Sequence, residues 1–326
     1  MQRDIAAHLR RFAALALLPL LAVPSSFGWG DAGHRMINRL AAEGLPADIP
    51  AFMRSLEAVN EIEYLGPEPD RWRSLAEPEL NAAQAPDHFI DLEYADVIGT
   101  LPKRRYQYIA AIYAAGLTHP DMANVLQPDK VGFQPYITSE VWERLKAAMR
   151  GYRELSAQHA DTKPVEAAIL FYAGWLGHYV GDGSQPLHTT INYNGWVLKE
   201  NPNGYTTQHT IHAKFETTFV AANIKPADVQ PLVSPLKPVG DEWDDYLAYL
   251  HHSNSLVEQL YKLDTQKAFD GAGTPEGKQF TEERLAAGAS MLRDLIYAAW
   301  VQSAQPVPQW HERPAQAAAG KPSPGF

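Results

Sequence analysis

HYVGDGSQPLH, residues 178–188, is the stretch on which the reading of this chain turns. It closes a long apolar segment that starts at Pro164 and has helical periodicity. His178 and Asp182 stand four apart, so on a helix both side chains leave the same face about one turn from each other. Gly183 and Pro186 are then expected to stop the helix and turn the chain, bringing His188 back towards that face. Two imidazoles and a carboxylate converging at a helix end form the donor set that a divalent transition metal of the zinc type requires.

Outward from this stretch, apolar spacings of three and four dominate and two-residue alternation is scarce, which predicts an all-α fold. Helices are expected over about 34–43, 106–115, 140–156, 164–182, 207–222, 241–263 and 281–303. Thr138 or Ser139 before Glu140, Pro164 in a first turn, and Thr281 before two glutamates are the start signals. Loops rich in Pro, Gly and Asn are expected over 65–79 and 192–204. No internal repeat is visible. The reading is one multi-helix domain, 29–303, followed by a disordered Pro/Ala-rich tail, 304–326.

The chain opens with features of an export signal. Arg3, Arg10 and Arg11 precede an apolar run, 12–23, that is too short to span a bilayer comfortably. Ser26 and Gly28 supply the small positions before a cut, so 1–28 is read as a signal peptide and the protein as secreted or periplasmic, with Trp29 as its new N-terminus. The chain has no cysteine. Neither a disulfide nor a lipidated thiol is available, and bound metal can supply the missing clamp. Without Arg3, Asp4, Arg10 and Arg11 the chain holds 25 basic and 37 acidic residues, three and one fewer than the full 28 and 38, a net charge of −12 with neutral histidines. Such a chain makes poor sequence-independent contact with duplex nucleic acid.

Spacing alone does not establish a metal site. With 12 histidines, chance gives roughly one or two His-x-x-x-Asp/Glu pairs in a chain of this composition. There are two, His178 with Asp182 and His212 with Glu216, and each taken singly suits a structural ion pair as well. Ile211, Phe215 and Phe219 form an apolar stripe that His212 and Glu216 flank. Further pieces accumulate: Trp29 five residues before His34, Asp70 with Arg73 one turn later, and His88 in PDHFIDLE. A free α-amine and its own carbonyl oxygen close a five-membered chelate ring, so a newly exposed Trp29 offers metal donors from its backbone alone.

Together these residues resemble the three-zinc, single-strand-preferring nucleases of the S-one/P-one type and their relatives, the bacterial zinc phospholipases C. The resemblance spans most of 29–303 in ligand order and helical layout, and the stretch 178–188 is its most specific part. It implies an all-α fold of that type and three zinc ions. One would be held by Trp29, His34 and Asp182. A second would take Asp70, His88, His178 and the bridging Asp182, and the third His188, His212 and Glu216. The implied enzyme is a phosphodiesterase, an endonuclease hydrolysing single-stranded DNA or RNA through a metal-activated hydroxide. Asp182 and Arg73 would serve catalysis, Arg73 by gripping a phosphate oxygen. Phe89 and Asp91 match positions that line a nucleobase pocket, one stacking and one accepting hydrogen bonds.

The chain departs from the nuclease pattern in two places. Glu216 stands where the nucleases usually carry aspartate and the phospholipases glutamate. The Gly-Gly-Asn signature after the central motif is replaced by TTINYNGWVLKENPNG, residues 189–204, where Tyr193, Trp196 and Tyr205 are available to build a substrate pocket. Phospholipase C action on phospholipid headgroups is therefore the alternative, and a non-catalytic zinc-stapled binding protein the third reading. No protein partner is implied.

Overall fold

Apolar residues at helical spacing fold as helices throughout. In the computed structural model the described residues, 29–307, contain no strand and only two isolated bridges, Ile90 with Gly132 and Tyr193 with Gly195. The expected signal peptide, its cut after Gly28, and the expected tail beyond residue 307 lie outside the described residues. Eight longer helices carry the structure: α1 (Gly30–Glu43), α2 (Leu56–Leu65), α3 (Arg105–Thr118), α4 (Gln134–Ala157), α5 (Lys163–Ser184), α6 (Glu242–Ser255), α7 (Val257–Thr265) and α8 (Pro275–Gln302). Among the described residues no helix is long and apolar enough to cross a membrane.

Several boundaries differ from the sequence expectation, each for a local reason. Helix α4 begins at Gln134, because Pro135 is preset for a first helical turn. The Thr138 hydroxyl, read as a cap, instead bonds back to the Gln134 carbonyl at 2.8 Å. Helix α8 begins after Thr274, whose hydroxyl accepts from the Gly277 amide, so Thr281 lies inside the helix. The segment 241–263 divides into α6 and α7 at Leu256, with Asp241 capping the Trp243 and Asp244 amides. Helix α2, absent from the sequence expectation, carries an apolar face of Val59, Ile62 and Leu65 behind Ser55, whose hydroxyl accepts the Ala58 amide. The expected loop 65–79 contains a further turn of helix, Glu68–Arg71.

Helix α5 is the axis of the molecule and packs against α1, α2, α4, α6 and α8. Its approach to α1 depends on Gly177, where an added Cβ would sit 1.9 Å from Asn38 Oδ1. The Asn38 amide donates to the carbonyls of Ile62 and Gly174, tying α1 to α2 and α5. Gly183 was expected to stop α5, yet it remains helical. Its lack of a side chain leaves room for the Tyr246 hydroxyl. Pro186 follows the true end at Ser184 and opens a short turn, Pro186–Thr189, that carries His188.

Candidate metal centre

The C-terminal half of α5 is buried on all sides, so its polar residues must find partners inside the protein. His178 and Asp182 leave the same face of α5 as predicted. His34 on α1 stacks on His178 with ring centroids 4.0 Å apart. His88 approaches from a short turn, Ala85–His88, and places Nδ1 2.9 Å from His178 Nε2. Asp70, in the turn Glu68–Arg71, lies 3.8 Å from both of these nitrogens.

The two oxygens of Asp182 face different partners. Oδ1 lies 3.4 Å from His34 Nε2, while Oδ2 lies 3.2 Å from His88 Nδ1 and 3.3 Å from His178 Nε2. The Trp29 backbone nitrogen is 3.1 Å from His34 Nε2. Its fully buried indole donates to the Gly181 carbonyl and the Ser184 hydroxyl, both at 2.8 Å, and this seats the Trp29 backbone beside His34. A third group forms separately, with Glu216 Oε2 2.9 Å from His212 Nε2 and 3.4 Å from His188 Nε2. The structure thus brings together all nine residues named from the sequence.

The segment bearing His212 and Glu216 is not the regular helix expected over 207–222. It starts at Ile211, because the Asn194 side chain accepts the His212 amide, and it widens into a π-helical turn over Lys214–Phe219. Such turns re-aim side chains within a helix and recur at functional sites.

Three features fit these groups to zinc. Donors about 2.0–2.1 Å from a tetrahedral ion stand roughly 3.3 Å from one another, and the close donor pairs here span 2.9–3.4 Å. Buried polar atoms without a hydrogen-bond partner gather at the same place, including both Asp182 oxygens, Asp70 Oδ1, Glu216 Oε1 and His188 Nε2. Such atoms are costly unless a cation accepts their lone pairs. Finally, His178, His188 and His212 each face a backbone carbonyl with Nδ1, those of Gly66, His88 and Tyr193, at 2.9, 2.7 and 2.9 Å. This assigns the proton to Nδ1 and leaves Nε2 as the donor aimed into the centre. Three clusters, His34–His178–Asp182, Asp70–His88–His178 and His188–His212–Glu216, thus offer places for three zinc ions.

The electrostatics agree. Burial, reinforced by the neighbouring His178, lowers the His34 pKa, and burial takes His88 down to about 3, so both rings are neutral bases. Burial would raise the Asp182 carboxyl, yet His178 and His188 outweigh it and hold the group well below the usual carboxylate range. Burial pushes Asp70 well above that range. Burial alone would lower His188, but Asp182 and Glu216 carry it up to about 9. A metal ion bound there must displace a proton.

The centre opens into a cavity of about 470 Å³ whose walls include His88, His188 and His212 together with Arg73, Phe89 and Asp91. Arg73 therefore belongs to the cavity wall. Phe89 is half-buried there. Asp91 precedes the turn Leu92–Ala95, and its side chain makes no capping bond there. Burial, then the nearby Glu93, pushes the Asp91 carboxyl up to about 8. At neutral pH it holds a proton and can donate as well as accept. Tyr193 also lines the cavity, whereas Trp196 and Tyr205 pack on Tyr261 instead, correcting the expectation that all three face the substrate. Tyr94, Lys130 and Asn194 also line the cavity, beside the apolar Val125 and Leu187, and no local pattern marks them in the sequence.

A sequence profile described as S1/P1 Nuclease matches residues 29–289. A crystal structure of Clostridium perfringens alpha-toxin from an avian strain is similar over 85% of this chain and 65% of that one, with 14% identity and a TM-score of 0.39. The chain thus spans less than two thirds of that protein's length. No curated protein matches in sequence.

Proposed function

Because the chain belongs to the S1/P1 nuclease family, we propose that it is a zinc-dependent phosphodiesterase that cuts single-stranded DNA or RNA within the strand. The observation that carries this reading is the shared cavity. Donor groups from two parts of the centre, His88 with His188 and His212, and the recognition groups Arg73, Phe89 and Asp91 face one space of about 470 Å³.

The residues divide the work as follows. Trp29, His34 and Asp182 would hold one ion, Asp70, His88, His178 and Asp182 a second, and His188, His212 and Glu216 a third. The chemistry supplied by bound zinc is Lewis acidity towards phosphate oxygens and a lowered pKa for water. Asp182 serves two positions at once because its oxygens face opposite groups. Arg73, always protonated, neutralises charge on a phosphate drawn into the cavity. Phe89 offers a half-buried ring on which an unpaired base stacks. Asp91, holding a proton, offers that base both a donor and an acceptor. A base already outside a duplex enters such a pocket without the cost of unstacking, which supports a single-stranded substrate.

Residues 29–303 form the catalytic domain in this reading. The basic start and short apolar run of residues 1–28 support export before the centre is completed by a free Trp29 amine. Incubating the processed, zinc-loaded protein with single-stranded DNA, RNA, duplex DNA and phosphatidylcholine tests the proposal. Release of nucleotides or short fragments from single strands is expected, with duplex cut more slowly. Hydrolysis of lipid but not nucleic acid would overturn it, and full zinc loading without any hydrolysis would favour a binding protein.

A further inference from the structure

We propose that Gln185 is the positioning residue of the His188–His212–Glu216 group, joining the turn that carries His188 to the helix that carries Glu216. This inference rests on the reading of that group as a zinc site. Gln185 is fully buried immediately after α5. Its Oε1 accepts the Leu187 amide at 2.6 Å, inside the turn that bears His188. Its Nε2 donates to Glu216 Oε2 at 2.9 Å.

The amide cannot be reversed. A backbone N–H only donates, so the end of Gln185 that faces Leu187 must be its oxygen, and the NH2 must face Glu216. Glu216 Oε2 then receives Gln185 Nε2 and lies beside His212 Nε2, while Oε1 has no hydrogen-bond partner. Rotating the carboxylate would break the bond from Gln185, so one neutral donor fixes where both oxygens point. Its neutrality suits the place. A cationic donor would repel a bound dication, and a carboxylate would repel Glu216. Supporting groups of this kind commonly change metal affinity by about 10- to 100-fold. Their contribution is to hold donors in place before the ion arrives.

Two variants separate this role from a merely structural one. Gln185→Asn retains an amide oxygen for the Leu187 amide, a local turn bond that asparagine makes readily, but is one methylene too short to reach Glu216. The expected result is roughly 10- to 100-fold weaker binding of one zinc ion out of three, read by titration against a competing chelator. The other two affinities and the melting temperature of the metal-free protein should remain as in the wild type. Gln185→Glu keeps the length and the acceptor but turns the donor into a second carboxylate. Cobalt substituted at this position should show an altered visible absorption spectrum in both variants, a change that loss of turn stability alone does not produce. Wild-type affinity and an unchanged cobalt spectrum in Gln185→Glu overturn the inference, whether or not Gln185→Asn folds. A wild-type protein that fails to bind three zinc ions would instead sink the zinc reading on which it rests.

Discussion

Replacing Asp182 by asparagine is the sharpest perturbation of the centre. The carboxylate is fully buried, with Oδ1 3.4 Å from His34 Nε2 and Oδ2 3.2 and 3.3 Å from His88 Nδ1 and His178 Nε2. Asparagine keeps the shape and one oxygen, but its NH2 cannot bind a cation, and the negative charge between the two positions disappears. A pair of unit charges about 4 Å apart at an effective dielectric of about 20 is worth about 4 kcal/mol. Since each 1.4 kcal/mol or so is tenfold in affinity, two ions should bind at least about a thousandfold more weakly. The third should stay, because Glu216 is its carboxylate. Asp182 comes no nearer to that group than 3.8 Å from His188 Nδ1, which is committed to the His88 carbonyl. Zinc per molecule, measured by elemental analysis after dialysis at low free zinc, should fall by two, and cleavage of single-stranded DNA should vanish. Loss of one ion, or of none, would refute the shared-carboxylate geometry.

Three further outcomes follow from the same structure. A processed protein that retains Gly28 before Trp29 should hold one zinc ion fewer and lose activity, because an amide nitrogen replaces the amine beside His34 Nε2; unchanged metal content in elemental analysis would contradict the terminal role of Trp29. Phe89→Ala should raise KM on a dinucleotide by roughly tenfold, since stacking on an aromatic ring contributes about 1–3 kcal/mol per base, and an unaltered KM would remove Phe89 from the pocket. Burial and Glu93 keep Asp91 protonated in the folded protein up to about pH 8, whereas the unfolded chain releases that proton near the ordinary carboxylate pKa. Folding therefore takes up a proton between these values, and stability falls as pH rises through that window. Asp91→Asn should flatten the fall in melting temperature between pH 5 and pH 8, and a slope equal to the wild type's would show that Asp91 is ionised in the fold.

Much of this protein was legible along the chain. Apolar spacing identified most of the long helices, and the i, i+4 pairs His178/Asp182 and His212/Glu216 already placed two carboxylates beside two imidazoles. Local signals such as these depend on backbone geometry shared by every helix, so they survive without knowledge of the fold. Helix boundaries were less legible. Thr138 and Thr281 look like caps, but hydroxyls can also bond back within a helix, and only the surrounding packing selects between the two. The π-helical turn under Glu216 and the commitment of Trp196 and Tyr205 to Tyr261 left no local pattern either.

The sequence by itself determined an all-α chain and the donor types of a zinc centre, because helical periodicity and ligand chemistry are properties of residues and their near neighbours. Tertiary structure alone decided that the two Asp182 oxygens face different groups, that Gln185 holds Glu216, and that Arg73, Phe89 and Asp91 share a cavity with the donors. Those relations join positions many residues apart. They exist only because burial on the faces of α5 closes distant segments around one set of polar atoms.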